Sequence, residues 1–527
     1  MAIKRILLAV GVLLASFGAI AQEQQADTLR NLPMVQALTS LRNNWLQSPN
    51  AAGMKLSSFL PAGKTELSYN NLSGGMKLAQ QPKSRERFQF NSERYQPLGG
   101  TIFYGSFSYT EQKDKNIRFS DVMDPYRGTP YLLADSIGGD WKKQLYALKL
   151  KVSSPQLMGD KLILGIGAEL NVGTGARQND PRPLNTSDEI NITPGLIWKL
   201  SDHSHIGING LFGRYREEIS LEVKNTYVNH YLYKFLGVGQ YELPGVFSVG
   251  SARNYDGNKY GGDLQYELTR GSISWLTTAG YRSYNEEVSD GNSVPRKAGT
   301  WKQKEYSVLS VFNLHKGRIL QQLKFSGRLT EDTGIEFHEY FNTVTKEWQT
   351  ILEAPFYTAE TKLAGLSYTF LRESDKMVYN WLSEVGLSYQ SFDKQYTIPA
   401  SSERLERIAF HLKGGKNLLT GRNSSLQASL TLSYSMSLSD GVSFIPVTSD
   451  RTLLAREILY PDHAYLSADR LMATAEAQYN FNIRKVKGAK FFIGSVFNLM
   501  RSVNTDAVYP AASGNREYFN LSVGAYY

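Results

Sequence analysis

The stretch Tyr518 to Tyr527 reads Y-F-N-L-S-V-G-A-Y-Y. Phe519, Leu521, Val523, Ala525 and Tyr527 form one row by alternation, and Tyr518, Asn520, Ser522, Gly524 and Tyr526 form the other. A period of two belongs to a β-strand, whose successive side chains point to opposite faces. One apolar row, one small or polar row and a terminal aromatic make a strand that stands between lipid and water. Backbone groups of such a strand find no water in the bilayer, so the chain must supply neighbours until the sheet closes. The expected fold class is therefore all-β, a transmembrane up-and-down antiparallel β-barrel.

The same alternation recurs from about residue 64 to the end. Leu426, Ala428, Leu430, Leu432, Tyr434, Met436 and Leu438 alternate with Gln427, Ser429, Thr431, Ser433, Ser435 and Ser437. Runs 144–153, 162–173 and 471–481 repeat the pattern. Short breaks fall near Pro97-Gly99, Ser153-Asp160, Leu200-Ser204, Arg270-Ser272, His315-Gly317, Arg372-Lys376, Gly414-Asn423 and Arg484-Gly488. Longer ones lie near 113–139, 175–187, 220–257, 288–300, 332–358, 393–404, 439–464 and 504–515. Short turns at one rim and long loops at the other are the asymmetry of membrane barrels. Eight short turns with both barrel ends on one side predict about 18 strands, within a range of 14–18. Pro194 interrupts one run, and in a sheet without edges it predicts a bulge. The fixed repeat of a soluble solenoid or propeller is missing.

Composition agrees. Aromatics are 12% of the chain, with 32 Tyr, as two aromatic girdles require. Mean hydropathy is −0.35, and no apolar run beyond the N-terminus nears the ~20 residues of a spanning helix. Cysteine is absent, which excludes disulfides, thiolate metal sites and an acylated lipoprotein cysteine. Setting aside Lys4 and Arg5, 56 basic residues face 49 acidic ones, a mild excess suited to scattered lysines, anionic solutes or lipopolysaccharide phosphates. No basic cluster with interleaved aromatics points to nucleic acid.

Three segments follow. Residues 1–21 read as a signal peptide: Lys4-Arg5, an apolar core from Ile6 to Ile20, and Ala19-Ile20-Ala21 before Gln22. Residues 22–63 read as an N-terminal helical segment, with Met34, Leu38, Leu41 and Trp45 at helical spacing after Pro33, and a break at Pro49 to Gly53. That segment is either a plug tucked into the barrel over 33–47 or a helix against its rim. Residues 64–527 are the outer-membrane β-barrel.

The terminal row of Phe519, Leu521, Val523 and Tyr527 resembles the C-terminal signal strand of bacterial outer-membrane barrels, which implies recognition by the barrel assembly machinery. Leader, alternating connections and terminal strand together resemble an uncharacterised outer-membrane β-barrel family of Bacteroidota-type bacteria. The resemblance implies a Gram-negative cell outer membrane, with lipid bilayer and lipopolysaccharide as surroundings. Pro49-Asn50-Ala51-Ala52-Gly53 resembles the Asn-Pro-Ala-Gly element after the hatch of fatty-acid transporter-type barrels. TonB-dependent receptors carry a much larger plug domain than residues 22–63 supply, so the chain is not expected to be one of them in kind.

Candidate site residues come from the alternation. Lys149, Lys151, Glu169, Glu267, Arg282, Lys324, Arg328, Lys362, Glu384, Lys413 and Glu476 fall on inner rows, where charges set the field of a wet pore or pair across strands. Tyr227, Tyr231, Tyr233, Phe235, Tyr241, Phe341 and Trp348 lie in two aromatic connections, fit for contact with a partner or for packing over the barrel mouth. No catalytic residue, metal site or cofactor is expected: the seven His are dispersed, Asp202 to His205 sits in a turn, and His411 on an inner row has no evident partner. The expected function is a channel or transporter for a small solute. The alternative is an accessory barrel docking a surface lipoprotein or transporter partner through its loops, and a third reading is an outer-membrane lipid hydrolase.

Overall fold

The computed structural model describes residues 41–527 except 58–61, 243–244, 247–251, 292–293, 374–378, 422–423, 484, 487, 505 and 507. The leader, Met34 and Leu38 lie outside the described residues. Eighteen strands make one antiparallel sheet in sequence order. The first nine are β1 (Ala62–Gly74), β2 (Ser84–Leu98), β3 (Thr101–Ile117), β4 (Gly139–Ser153), β5 (Leu162–Arg177), β6 (Arg182–Ser201), β7 (Ser204–Glu222), β8 (Ala252–Arg270) and β9 (Ile273–Asp290). The second nine are β10 (Arg296–Lys316), β11 (Ile319–Asn342), β12 (Glu347–Glu373), β13 (Tyr379–Tyr396), β14 (Ser401–Leu419), β15 (Ser425–Ser443), β16 (Arg470–Phe481), β17 (Lys490–Ser502) and β18 (Asn515–Tyr526).

The sheet closes where β1 meets β18, in register from Lys64↔Tyr526 to Gly74↔Arg516. Phe519, Leu521 and Val523 are 41, 45 and 46% exposed, and so are the outer rows of other strands, among them Leu148, Leu150, Ile190, Ile192, Leu430 and Leu432. A closed wall with a continuous apolar outside is a membrane-spanning barrel of the outer-membrane type. No helix among the described residues is long and apolar enough to cross a membrane.

The eight connections expected to be short all lie between strands that meet at one rim, the turn end, although β14 runs on to Leu419, past the expected break at Gly414, and residues 374–378 lie outside the described ones. Gly99 and Gly100 between β2 and β3 have φ of +56° and +85°, which a two-residue hairpin demands and glycine allows without strain. The opposite rim, the loop end, differs from expectation. Four of the predicted long loops are extended hairpins with only 178–181, 291–295, 343–346 and 397–400 as connections. Strands β11 and β12 run past any lipid band, and out there both faces are wet, so the alternation that marks a strand fades. The true long connections are 118–138, 223–251, 444–469, 503–514 and 75–83. The last was not evident from the sequence.

Two local expectations are corrected. Pro194 makes no bulge. Pairing from β6 to β7 lapses at Thr193 and Pro194 and resumes in the same register at Gly195↔Asn209, while pairing to β5 runs through. The missing N–H removes rungs without adding a residue. Likewise Pro49 to Gly53 does not simply end a helix. Short 3-10 helices span Asn44–Gln47 and Ala51–Leu56, capped by the side chains of Asn43 and Asn50, which accept from the N–H groups of Trp45 and Ala52.

The wall makes a paired prediction on β15. Leu432→Lys on the outer row costs about 2–4 kcal/mol if it sits near mid-membrane. Ser433→Lys on the inner row costs under about 1 kcal/mol. Urea titration of the protein refolded into vesicles, followed by heat-modifiable gel mobility, measures both.

Candidate functional site in the barrel lumen

At the turn end, residues 41–57 lie against the inner wall. Trp45 is 1% exposed and donates Nε1–H to Glu267 Oε2 at 2.5 Å, which also meets His205 Nδ1 at 3.1 Å. Asn50 Nδ2 donates to the carbonyls of Leu196 and Ile208, at 3.0 and 3.3 Å, beside the lapse at Pro194. Asn44 donates to Ser274 Oγ at 2.8 Å, and Asn313 donates to Asn44 Oδ1 at 2.7 Å. Arg42 forms a two-pronged ion pair with Glu373. The wall is cut back to receive this segment: a Cβ on Gly165 would stand 2.1 Å from Ala52 N, and one on Gly195 2.4 Å from Asn50 Oδ1. Inner-row glycines thus mark a close backbone approach.

At the loop end, 118–138 and 223–242 fold across the mouth. Leu133–Ala134 pairs with Tyr233 and Lys234 of the short strand Tyr231–Gly237. Phe119, Tyr131, Leu133, Phe235 and Tyr241 bury together against Ile219, Tyr255, Tyr284, Val288 and Trp301 of the wall. Leu454 joins from 444–469. Buried charges fasten the cover. Arg177 of β5 meets Asp121 at 2.9 Å and Asp135 at 2.5 Å, all three out of solvent. Burial first and Asp135 second push the Asp121 carboxyl up, against Arg177. Arg127 reaches down to pair with Glu286 and lies over the rings of Tyr215 and Tyr255, at 4.4 and 5.2 Å.

The aromatic loop residues therefore divide. Phe235 and Tyr241 are buried in the cover, and Tyr233 packs edge-on to Tyr241 at 5.7 Å. Tyr227 and Tyr231 stay exposed. Phe341 and Trp348 meet at 5.3 Å across the β11–β12 hairpin.

The inner-row charges are mostly paired. Lys149 meets Glu169 at 3.2 Å and Lys413 meets Glu476 at 3.5 Å. Lys362, expected on an inner row, instead shares the outer row of exposed Leu366 and Tyr368, where it meets Glu360 at 2.6 Å, because Thr369 and Gly365 of the same strand take the inner positions. Arg282 bridges Asp263 and Glu305 at 3.1 and 2.9 Å, and Arg328 reaches Glu305 at 3.5 Å. Lys151 follows Lys149 on the same row. Arg282, Lys324 and Arg328 line a cavity of about 790 Å³ beside Gln47 and Pro49. His411, expected alone, has Glu384 at 3.0 Å, and Thr369 Oγ1 donates to the same carboxylate at 2.9 Å. The partner is a cross-strand neighbour, and register rather than sequence distance brings it there. Among the described residues no group of three His, Asp or Glu could hold a metal ion.

A second cavity, about 640 Å³, lies under the cover and is lined by Arg85, Arg87, Lys143, Arg127 and Arg516 among others. None of these was singled out from the sequence. The signal was present in S-R-E-R-F-Q-F at 84–90, whose alternate residues Arg85, Arg87 and Gln89 share one row.

Residues 51–527 match the family described as "Family of unknown function (DUF6850)". The chain belongs to that family. No curated protein matches the sequence. Among solved structures, the ferric preacinetobactin receptor BauA from Acinetobacter baumannii is 8% identical, with 89% of this chain and 80% of that chain covered and a TM-score of 0.38. For the RagAB peptide transporter the figures are 7%, 89%, 87% and 0.42. For a Pseudomonas aeruginosa FadL homologue they are 10%, 91%, 92% and 0.31. These likenesses are of barrel architecture and bear on nothing finer.

The cover makes a pH prediction. Asp290, the last residue of β9, pairs with Arg253 at 2.7 Å and with Lys234 at 2.7 Å. Burial raises its pKa, but Arg253 and then Lys234 outweigh this and hold it at about 2, below the usual 3.8. A depressed carboxylate stabilises the fold above its unfolded pKa and loses that contribution as pH falls through the folded one, here from about 4 to 2 and about 2 kcal/mol in size. Pepsin nicking of the cover should therefore rise between pH 4 and 2. Asp290→Asn should be nicked readily at both.

Proposed function

We propose that the protein passes a small solute across the outer membrane through a lumen held shut at both ends. One observation carries this: between residues 41–57 and the loop cover the wall leaves cavities of about 790 and 640 Å³ whose linings mix charged and polar side chains with apolar ones. A barrel of this strand number is too wide for its own inner rows to fill. Export by the leader 1–21, insertion by assembly machinery reading Phe519, Leu521, Val523 and Tyr527, and a surface among lipopolysaccharide belong to the same reading. Residues 41–57 serve as the plug, held by hydrogen bonds that water can replace. The paired inner-row charges then set a mild field for whatever permeates.

Planar-bilayer recording tests this. The intact chain should conduct little, and deleting 22–57 should raise conductance. Replacing 118–138 by a short Gly-Ser turn as well should raise it further. A folded double variant that stays silent sinks the transport reading.

One observation favours a second reading, docking of a surface lipoprotein. The β11–β12 hairpin carries Val344 at 88% and Ile351 at 71% exposure, beside Tyr340 and Phe341, an apolar tip of the kind that partners cover. Replacing 337–355 by a two-residue turn should then release a co-purifying lipoprotein while leaving the barrel folded. An unchanged complex rejects docking at this tip.

A further inference from the structure

The cavity beneath the loop cover is unequal in charge. Its lining includes six cations, Arg85, Arg87, Arg127, Lys143, Lys259 and Arg516, and two carboxylates, Asp124 and Glu189. Two more carboxylates serve it from outside the lining: Asp114 takes Arg85 at 2.5 Å and Lys143 at 3.9 Å, and Glu286 takes Arg127. Lys259 meets Glu189 at 3.1 Å. Among the described residues the remaining two guanidinium groups find only neutral acceptors. Arg87 donates to Gln112 Oε1 at 2.7 and 3.1 Å. Arg516, 6% exposed, donates to the carbonyls of Gly74 and Pro82 at 3.2 and 3.0 Å.

A buried guanidinium facing only carbonyls is an expensive arrangement unless a counter-charge arrives. The neighbourhood is already too positive. Lys77, in the connection 75–83, bonds among the described residues to the carbonyls of Leu78, Ala79 and Gln81. Burial first and Arg516 second push its ammonium down to about 8. Arg87 and Arg516 stand two strands apart, on β2 and β18, and Leu72 of the strand between them lines the same space. Tyr215, Tyr284 and Trp301 complete the lining with aromatic surface.

We infer that this cavity binds a small solute bearing an oxyanion, phosphate or carboxylate, between the guanidinium groups of Arg87 and Arg516, with its uncharged part against the aromatic lining. Guanidinium forks match the paired oxygens of either group, and Tyr and Trp faces accept a sugar ring or apolar body. The inference names a solute class for the transport reading and rests on it.

Calorimetric titration of the full chain in detergent tests it, with pyrophosphate and citrate as the phosphate and carboxylate probes and glucose as a neutral control. At least one anion should bind saturably, more weakly as salt is added, and glucose should bind far less. Arg87→Gln/Arg516→Gln should weaken binding about tenfold or more. Heat-modifiable mobility checks that the variant folds. If it does not, Arg87→Gln alone, on a part-buried residue, should still weaken binding about threefold. Wild-type protein that binds neither anion, or a folded variant that binds as tightly, overturns the inference. The outcomes stay separable from bilayer recording. Binding in a barrel that never conducts overturns transport and keeps the site, and conductance without anion binding does the reverse.

Discussion

Backbone pairing between the first strand and the last is the constraint on which the rest depends. Lipid offers no hydrogen bond to a free N–H or C=O, so a spanning sheet with edges is excluded. Here β1 and β18 pair from Lys64 to Gly74, through the loop-end tip of β1, and at the turn end Gly63 and Tyr527 exchange backbone hydrogen bonds at 2.6 and 3.0 Å beyond the last ladder rung. Once that seam is made, every inner row points into one enclosed space. The width of that space follows from the strand number.

Width creates a second problem, because side chains of the wall do not fill it. The two rims solve it by different chemistry. At the turn end a short segment is threaded along the wall, seated by hydrogen bonds to Trp45, Asn44 and Asn50 and by glycines that give it room. At the loop end two connections bury aromatic and aliphatic side chains on the inward faces of the extended strands, and buried ion pairs such as Arg177 with Asp121 and Asp135 fasten the result. Those pairs are of limited worth as net stabilisation but leave uncompensated charge if one partner is lost, so they fix one arrangement of the cover. Several charges between the closures are paired along the wall, as Lys149 is with Glu169 and Arg282 with Glu305, whereas beneath the cover Arg87 and Arg516 donate to neutral acceptors.

The fold was largely legible. The eight turn-end connections were readable because each interrupts a period-two pattern, and the strand number followed from them. Hairpins such as β11–β12 were mistaken for loops, because beyond the membrane a strand loses the apolar row that announces it. The inner-row charges were readable one by one, but not their partners: Glu384 beside His411, or Arg282 between Asp263 and Glu305, depends on which residue of the next strand lies opposite. Arg516 was missed because its significance lies in what it lacks, and that is visible only once its neighbours are in place.

The chain by itself determined a closed membrane wall, its inside and outside and its strand number, since alternation is a local property written into consecutive residues. Tertiary structure alone decided that the aromatic connections turn inward as a cover, that residues 41–57 lie within the wall, and that Arg87 and Arg516 line one cavity beneath the cover. Each of these depends on contacts between residues far apart in sequence, set by register and by the order in which strands close the ring, which no local pattern encodes.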